Sequence, residues 1–242
     1  MFQTTYDEIT QRTALLVGDD AMSALRSSRI IVFGVGGVGS WCAESLVRTG
    51  IGHLTIVDGD DVCVSNINRQ LMATTQTVGQ PKVQALRERL LAINPYADIV
   101  ARYERYSVDT QHNFNLDSYD CVVDAIDSLD DKMMLIINAT RSRARLVSSM
   151  GAAQKFDPTS IAVAEFWNVK GCPLARALRN RFKRLGTRPS RRFQCVYSDE
   201  QSAPRLPGQP CGSLMHITAT FGLTLAALVI QRIVDDTAYI DK

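Results

Sequence analysis

Four glycines stand between a short apolar run and a stretch with helical spacing, at positions Gly34, Gly36, Gly37 and Gly39. Glycines let a backbone approach a phosphate closely, and the N-terminus of a helix offers free N–H groups with partial positive charge. Asp58 ends the next predicted strand, where a carboxylate can hold the hydroxyls of a ribose. The pattern predicts a nucleotide site, and it fits a dinucleotide and a mononucleotide equally well.

Two cations downstream of Asp58 distinguish between these ligands. Arg69 and Lys82 both follow the strand that carries the predicted ribose acid. A triphosphate attacked at its α-phosphorus needs such charge, because negative charge builds up on the departing pyrophosphate. An arginine also gives planar, bidentate contacts to phosphate oxygens. Lys82 begins a predicted helix, where a cation opposes the helix dipole, so an anionic ligand is expected nearby.

A pair of acids follows the fourth predicted strand. Asp124 and Asp127 come where the carboxyl end of a parallel strand faces a ligand crevice, and a hard carboxylate oxygen suits Mg²⁺. We expect Asp127 to be the Mg²⁺ ligand and Asp124 to have a structural or helping role. Asp130 and Asp131 fall in the first turn of the next helix, where the helix dipole favours acids.

Strands and helices alternate through the first 150 residues. Apolar, β-branched runs predict buried strands, and apolar residues at helical spacing predict helices between them. The strands are expected at 29–34, 53–58, 98–103, 120–126 and 145–149, and the helices at 40–50, 83–93 and 129–143. This alternation is typical of an α/β fold, a Rossmann-like and mostly parallel sheet with helices on both faces.

The alternation ends after residue 150. The runs 161–167 and 193–196 are predicted as strands of a C-terminal antiparallel extension, with a basic amphipathic helix at 174–185. Residues 198–212 hold three prolines and two glycines and are predicted as a mobile loop. We expect a single domain over 1–242, with the nucleotide-binding core at about 12–150 and the substrate and dimer elements at about 151–242.

The composition is that of a globular protein, with 45% apolar and 21% charged residues, which excludes a disordered or fibrous chain. Six cysteines occur without C-x-x-C spacing, so we expect no structural zinc and a reducing compartment. The N-terminus lacks the apolar core of a signal peptide. The apolar run 217–230 has 14 residues, fewer than the roughly 20 that span a bilayer, which predicts a buried or interface helix.

Charge is uneven along the chain. The net charge is +2, from 27 basic and 25 acidic residues, but the segment 176–192 has eight Lys or Arg and no acid, which leaves 19 basic and 25 acidic residues, or −6, elsewhere. Such a run suits the phosphates of a nucleic acid, and a solvated helix face is the alternative. The candidate RNA contacts are Arg176, Arg179, Arg181, Lys183 and Arg184.

The glycine turn is followed by D-x-D at 58–60, S-N-x-x-R-Q at 65–70, G-x-x-K at 79–82 and D-x-x-D at 124–127. In this order the motifs resemble those of the adenylating superfamily that includes ubiquitin-activating enzymes, molybdopterin-synthase adenylyltransferase and ThiF-like proteins. The resemblance implies ATP and Mg²⁺ as cofactors, with Asp58 on the ribose and Asp127 on the metal. It also implies a homodimer, in which Arg12 is lent across the interface for catalysis. The other implied nucleotide contacts are Asp60, Asn66, Arg69, Gln70, Lys82 and Ser128, with Arg69 and Lys82 acting in catalysis.

The lack of C-x-x-C pairs indicates which branch of this superfamily the chain resembles. Members that activate ubiquitin-like carriers commonly hold zinc with two such pairs, whereas the branch of tRNA threonylcarbamoyladenosine dehydratases lacks zinc. Stretches that resemble this branch lie at 124–132, 148–152, 157–161, 172–176, 195–200 and 218–222. Residues 151–155 depart from its glycine-rich segment, and 164–168 are also unusual. The resemblance implies adenylation of the carboxylate on the modified adenosine, followed by a ring closure that removes one water overall.

Two other functions stay open at this point. One is adenylation of the C-terminal Gly-Gly of a ubiquitin-like sulfur carrier, in which Cys211 would be a sulfur acceptor or form a thioester and a sulfur-transfer protein would be a partner. The other is nicotinamide-dependent oxidoreduction or nucleotide sensing. The dehydratase interpretation implies tRNA as the partner and a cytoplasmic location, with a peripheral position at the inner membrane face as the alternative.

Overall fold

Seven strands form one sheet in the structure, a computed structural model that describes residues 4–201 and 208–238. Their order across the sheet is β3-β2-β1-β4-β5-β7-β6. All neighbours are parallel except β6, which runs antiparallel to β7. The strands are β1 (Arg29–Phe33), β2 (His53–Asp58), β3 (Asp98–Tyr103), β4 (Cys121–Asp124), β5 (Arg145–Ser149), β6 (Ile161–Glu165) and β7 (Gln194–Ser198).

Helices cover both faces of the sheet. They are α1 (Tyr6–Val17), α2 (Asp19–Ser27), α3 (Gly39–Thr49), α4 (Lys82–Ile93), α5 (Leu129–Arg141), α6 (Pro173–Arg184) and α7 (Met215–Ala238). Successive residues of β1 point to opposite faces. Ile30 and Val32 therefore join the core under α3 and α7, whereas Ile31 and Phe33 join the core under α5 and α6. The predicted α/β sheet is confirmed.

The predicted elements differ from the structure mainly at their ends. β4 ends at Asp124 rather than at residue 126, because Asp124 Oδ1 accepts the Ile126 N–H (3.1 Å) and the chain turns there. β7 is parallel to β5 and is reached through α6, so the antiparallel extension consists of the β6–β7 pair. The sequence patterns did not predict α1 and α2. Part of the predicted loop at 198–212 lies outside the described residues.

The apolar run near the C-terminus belongs to α7. This helix is long and apolar enough to cross a membrane by length and composition, and 44% of its most apolar window is buried inside the structure. Ile217, Phe221 and Leu225 are fully buried in the core beneath α3. A Cβ on Gly222 would lie 2.3 Å from the Val38 carbonyl oxygen, so α7 and α3 approach closely. Packing against α3 therefore accounts for the buried apolar face of α7.

An ion cluster joins α3 to α4 away from the carboxyl ends of the strands. The Glu44 carboxylate accepts from Arg48 Nε (2.8 Å) on its own helix and from Arg89 Nε (2.7 Å) on α4. Burial raises the pKa of Glu44, but hydrogen bonds from the two arginines outweigh burial and hold that pKa below its ordinary value. The ionised carboxylate therefore supports the folded state at neutral pH.

Candidate nucleotide site

The glycine turn between β1 and α3 is packed too tightly for side chains. Gly34 has a φ of +82°, and a Cβ there would lie 2.7 Å from the Ala125 carbonyl oxygen. A Cβ on Gly39, the first residue of α3, would lie 1.8 Å from the Gly34 carbonyl oxygen. No side chain of the described residues caps the N-terminus of α3. The Ser40 N–H donates to the Gly36 carbonyl oxygen (3.2 Å). An anionic ligand could accept from the other N–H groups of this first turn.

A cavity of about 330 Å³ opens beside this turn, at the carboxyl ends of β1, β2, β4 and β5. Its wall includes Asp58, which ends β2, and Lys82, which begins α4. The other predicted nucleotide contacts that line it are Gly34, Gly36, Gly37, Asp60, Arg69, Gln70, Asp127 and Ser128. The fold thus brings residues from five separate motifs to one cavity.

Asp58 links the glycine turn to the segment after β2. Its carboxylate accepts the N–H groups of Val35 (2.9 Å) and Asp60 (3.0 Å). Burial raises the pKa of Asp58 above its ordinary value, although the charge of Lys82 and the two N–H donors act in the opposite direction. A ligand hydroxyl that donates to this carboxylate would favour its ionised form. Asp58 is therefore suited to hold a ribose.

Lys82 lies between two acids. Its Nζ is 2.9 Å from Asp60 Oδ2 and 4.0 Å from Asp58 Oδ1, and its side chain is 8% exposed. Arg105 Nη2 contacts the other Asp60 oxygen at 3.0 Å. The hydrogen bond from Lys82 is the main cause of a lowered pKa at Asp60. Two carboxylates thus compensate the cation that the helix dipole disfavours at the start of α4.

Arg69 and Gln70 come from the turns after β2. Arg69 Nη1 donates to the Ser65 carbonyl oxygen (2.8 Å) and to Asn68 Oδ1 (2.9 Å), which holds the guanidinium at the cavity wall. Gln70 is 6% exposed, and its Oε1 has no hydrogen-bond partner within the described part of the chain. A buried acceptor without a donor is costly. Gln70 Oε1 therefore marks a place where a ligand hydroxyl or amine would donate.

Three of the residues predicted for nucleotide binding or catalysis do not line the cavity. Gly39 packs against the Gly34 carbonyl oxygen at the end of the glycine turn. Asn66 is buried, and its carbonyl oxygen accepts the N–H groups of Arg69 (3.1 Å) and Gln70 (2.9 Å). It shapes the turn that presents these two side chains. Arg12 is exposed on α1, away from the cavity of its own chain.

Sequence reasoning missed the part of the wall that follows β3. Arg105 and Tyr106 line the cavity, and Tyr106 packs edge-on against Phe33 with 5.0 Å between the ring centroids. The available signal was the register of β3 beside β2, because ligands bind at the carboxyl ends of all strands near such a site. Other lining residues that were missed in part are 149–153, Leu174, Ser213 and Thr218.

Asp127 is the residue that the sequence predicts as the Mg²⁺ ligand. No group of three or more His, Cys, Asp or Glu side chains in residues 4–201 and 208–238 is arranged to hold a metal by itself. Mg²⁺ is usually held by one or two carboxylates, with phosphate oxygens and water completing its coordination. Asp127 lines the same cavity as the glycine turn. The residues present therefore fit Mg²⁺ that binds with a nucleotide.

The basic helix α6 begins at the cavity, since Leu174 in its first turn lines it. Arg179 donates to two backbone carbonyls of the 166–169 turn (3.1 and 2.8 Å), and Arg181 pairs with Asp130 on α5 (2.6 Å). These two arginines brace the helix. The predicted RNA contacts that are exposed are Arg176, Lys183 and Arg184.

Comparisons with known proteins show which family and which solved structures this chain is similar to. The ThiF family profile matches residues 10–240. A tRNA threonylcarbamoyladenosine dehydratase of Bacillus subtilis is 38% identical over 78% of this chain and 74% of that protein. The crystal structure of the Escherichia coli tRNA N6-threonylcarbamoyladenosine dehydratase in complex with ATP has 34% identity and a TM-score of 0.90, and the match covers 99% of each chain.

The similarity to a carrier-activating enzyme is shorter. A molybdopterin-synthase adenylyltransferase of Escherichia coli is 33% identical over 57% of this chain and 54% of that protein. The dehydratase structure, by contrast, is similar over nearly all of both chains. Because the family profile spans nearly the whole sequence, the chain belongs to the ThiF family.

Proposed function

We propose that this protein is an ATP-dependent dehydratase that converts threonylcarbamoyladenosine in tRNA to its cyclic form. The observation that carries the proposal is the cavity, which gathers Asp58, Arg69, Lys82 and Asp127. The full-length similarity to a dehydratase solved with ATP supports the same substrate. The cavity continues to residues 149–153, Leu174 and Thr218, where the acyl part of the substrate would lie.

The proposed reaction has two steps: the carboxylate is first activated by ATP, and its activated carbon is then attacked in ring closure. A carboxylate is a poor electrophile, so one of its oxygens first attacks the α-phosphorus of ATP, and the bond from that phosphorus to the pyrophosphate oxygen breaks. The carbamoyl group of the same substituent then attacks the activated carbonyl carbon and loses a proton, and AMP leaves with the former carboxylate oxygen. Because ring closure is intramolecular, the protein has to orient the substituent and exclude water.

Residues around the cavity would bind the ribose and the phosphates of ATP in the adenylation step. Asp58 would hold the ribose hydroxyls, and Lys82 would exchange its bond with Asp60 for a phosphate oxygen when ATP binds. Arg69 would contact the phosphates from the other wall, so that two cations stabilise the charge on the departing pyrophosphate. Mg²⁺ held by Asp127 would neutralise further phosphate charge. Asp60 keeps Arg105 as its partner, which limits the cost of losing Lys82.

The proposed enzyme is a homodimer that acts on tRNA in the cytoplasm. Arg12 lies on α1, outside the cavity of its own chain, and would enter the cavity of its partner. Leu15 and Leu16 on the same helix are 75% and 85% exposed. Apolar side chains exposed to this extent beside Arg12 support a contact that covers α1.

A second candidate is activation of the Gly-Gly tail of a ubiquitin-like sulfur carrier, with a sulfur-transfer protein as partner. One observation favours it. Cys211 is exposed and stands two residues before Ser213, which lines the cavity. An acyl-adenylate formed in the cavity would then be within reach of a thiol.

Purified protein with Mg²⁺-ATP and tRNA that carries threonylcarbamoyladenosine tests the proposed reaction. Mass spectrometry of the digested nucleosides should show the loss of one water from that nucleoside, with an equal amount of AMP formed. Reactions without ATP serve as the control. An unchanged nucleoside, together with ATP–pyrophosphate exchange when a Gly-Gly-tailed carrier is added, would favour the second candidate.

Lys82→Ala and Arg69→Ala should each reduce kcat/KM for AMP formation roughly 10- to 150-fold, because a charge-assisted phosphate contact contributes about 1.5–3 kcal/mol. Initial-rate measurements with modified tRNA give this value. Arg29→Ala is the matched control, since Arg29 is exposed at the amino end of β1, whereas the cavity lies at the carboxyl ends of the strands. Wild-type rates in both variants would rule out the assigned phosphate contacts.

Alanine at Arg176, Lys183 and Arg184 together should weaken tRNA binding and lower its salt slope by roughly one for each lost phosphate contact. Binding titrations from low to high salt measure the slope, and Tm should stay near the wild-type value because these side chains are exposed. Arg179→Ala is the contrasting variant, since it loses two internal bonds and should lower Tm. An unchanged salt slope in the triple variant would favour the alternative interpretation, in which the basic side chains of α6 form a solvated helix face.

A further inference from the structure

A lysine without solvent exposure lies beneath the nucleotide cavity. Lys132 on α5 and Asp124 at the end of β4 are both 0% exposed, and Lys132 Nζ is 2.8 Å from Asp124 Oδ2. Neither side chain lines the cavity, so the pair does not contact the nucleotide itself. Two buried charges gain little net stability from their attraction, because the cost of removing them from water offsets it. The pair therefore calls for a role other than stability.

The Asp124–Lys132 pair binds both the backbone N–H and the backbone carbonyl oxygen of Ile126. Lys132 Nζ donates to the Ile126 carbonyl oxygen (3.0 Å), and Asp124 Oδ1 accepts the Ile126 N–H (3.1 Å). Asp124 Oδ2 also accepts from Ser148 Oγ (2.6 Å) on β5, which anchors the pair to the sheet. Ile126 immediately precedes Asp127. These bonds therefore determine where the backbone that carries the Asp127 carboxylate lies.

Ala125, in the same segment, contacts the start of the glycine turn. The Ala125 N–H donates to the Phe33 carbonyl oxygen (2.8 Å), and the Ala125 carbonyl oxygen is the atom that a Cβ on Gly34 would meet at 2.7 Å. Residues 125 and 126 thus lie between the glycine turn and the Asp124–Lys132 pair. A shift of this segment would move Asp127 relative to the N–H groups that face the phosphates.

We infer that the Asp124–Lys132 pair positions Asp127 for adenylation, by holding residues 125–127 so that the Asp127 carboxylate and the glycine turn meet the same phosphates. Asp124 and Lys132 are positioning residues that act through Asp127. The inference rests on the proposed function in one respect, that Asp127 is the acid that binds Mg²⁺ together with the nucleotide. It adds two residues that the nucleotide motifs do not include as contacts.

The double variant Asp124→Asn/Lys132→Met replaces the pair by neutral side chains of similar volume. The asparagine can still accept from the Ile126 N–H, and the methionine fills the space of the lysine stem. Neutral replacement of a buried ion pair is often tolerated, so we expect a folded protein with a Tm within about 5 °C of wild type. The bond to the Ile126 carbonyl oxygen is lost, which releases the peptide that precedes Asp127.

Isothermal titration calorimetry of ATP with and without Mg²⁺ measures the gain in affinity that the metal contributes. We expect this gain to fall roughly 10-fold in the double variant, as for other residues that orient a metal ligand. Affinity for AMP without Mg²⁺ should change less than about twofold, because Asp58 and Lys82 keep their places. This contrast separates a displaced Asp127 from a general loss of structure.

Asp127→Asn completes a thermodynamic cycle. Because the pair acts through Asp127, adding the double variant to Asp127→Asn should cause no further loss of the Mg²⁺-dependent gain. Glu44→Gln/Arg89→Met is the matched control, since this ion pair also joins a buried acid to a cation but lies outside the cavity lining. It should lower Tm and leave the gain at its wild-type value.

A wild-type gain in the folded double variant would overturn the inference, and so would independent, additive losses from Asp127→Asn and the pair. A wild-type protein whose ATP affinity does not respond to Mg²⁺ would also overturn it. None of these measurements uses RNA. A wild-type protein that binds Mg²⁺-ATP but leaves the modified nucleoside unchanged would contradict the proposed reaction alone and would leave the positioning result valid.

Discussion

The glycine turn after β1 leaves no space for a side chain, and this constraint brings separate parts of the molecule into contact. A Cβ on Gly39 would meet the Gly34 carbonyl oxygen, and one on Gly34 would meet the Ala125 carbonyl oxygen. The turn therefore rests directly on the backbone that follows β4 and leads to Asp127. The glycine turn and Asp127, the proposed Mg²⁺ ligand, share a cavity because two stretches of backbone touch, which a side chain at either glycine would prevent.

Two of the cations that line the cavity are paired with carboxylates before a nucleotide binds. Lys82 is compensated by Asp58 and Asp60, and Arg105 shares Asp60. A triphosphate with Mg²⁺ would exchange partners within this set rather than add uncompensated charge to a buried site. The Arg181–Asp130 pair joins the basic helix α6 to the first turn of α5, next to Asp127. An RNA on the exposed face of α6 and a nucleotide in the cavity would therefore contact neighbouring helices.

Much of the site could be predicted because each motif follows the carboxyl end of a parallel strand, where topology brings ligands. Asp58 and Asp127 belong to this class. Arg105 follows β3 by the same rule but has no motif, so residue type alone did not single it out. The pairing of Asp124 with Lys132 depends on burial by α5 and β5, which spacing does not reveal. Asn66 was expected at the phosphates, whereas its contacts shape the turn that presents Arg69 and Gln70.

Carboxylate adenylation requires that an oxygen of the substrate leave with AMP. Modified tRNA whose threonylcarbamoyl carboxylate is labelled with oxygen-18 tests this in a single turnover with excess protein and Mg²⁺-ATP. Mass spectrometry of the nucleotide products should find one labelled oxygen in the phosphate of AMP and none in pyrophosphate. Unlabelled AMP beside a cyclised nucleoside, or label in pyrophosphate or inorganic phosphate, would contradict activation of the carboxylate at the α-phosphorus.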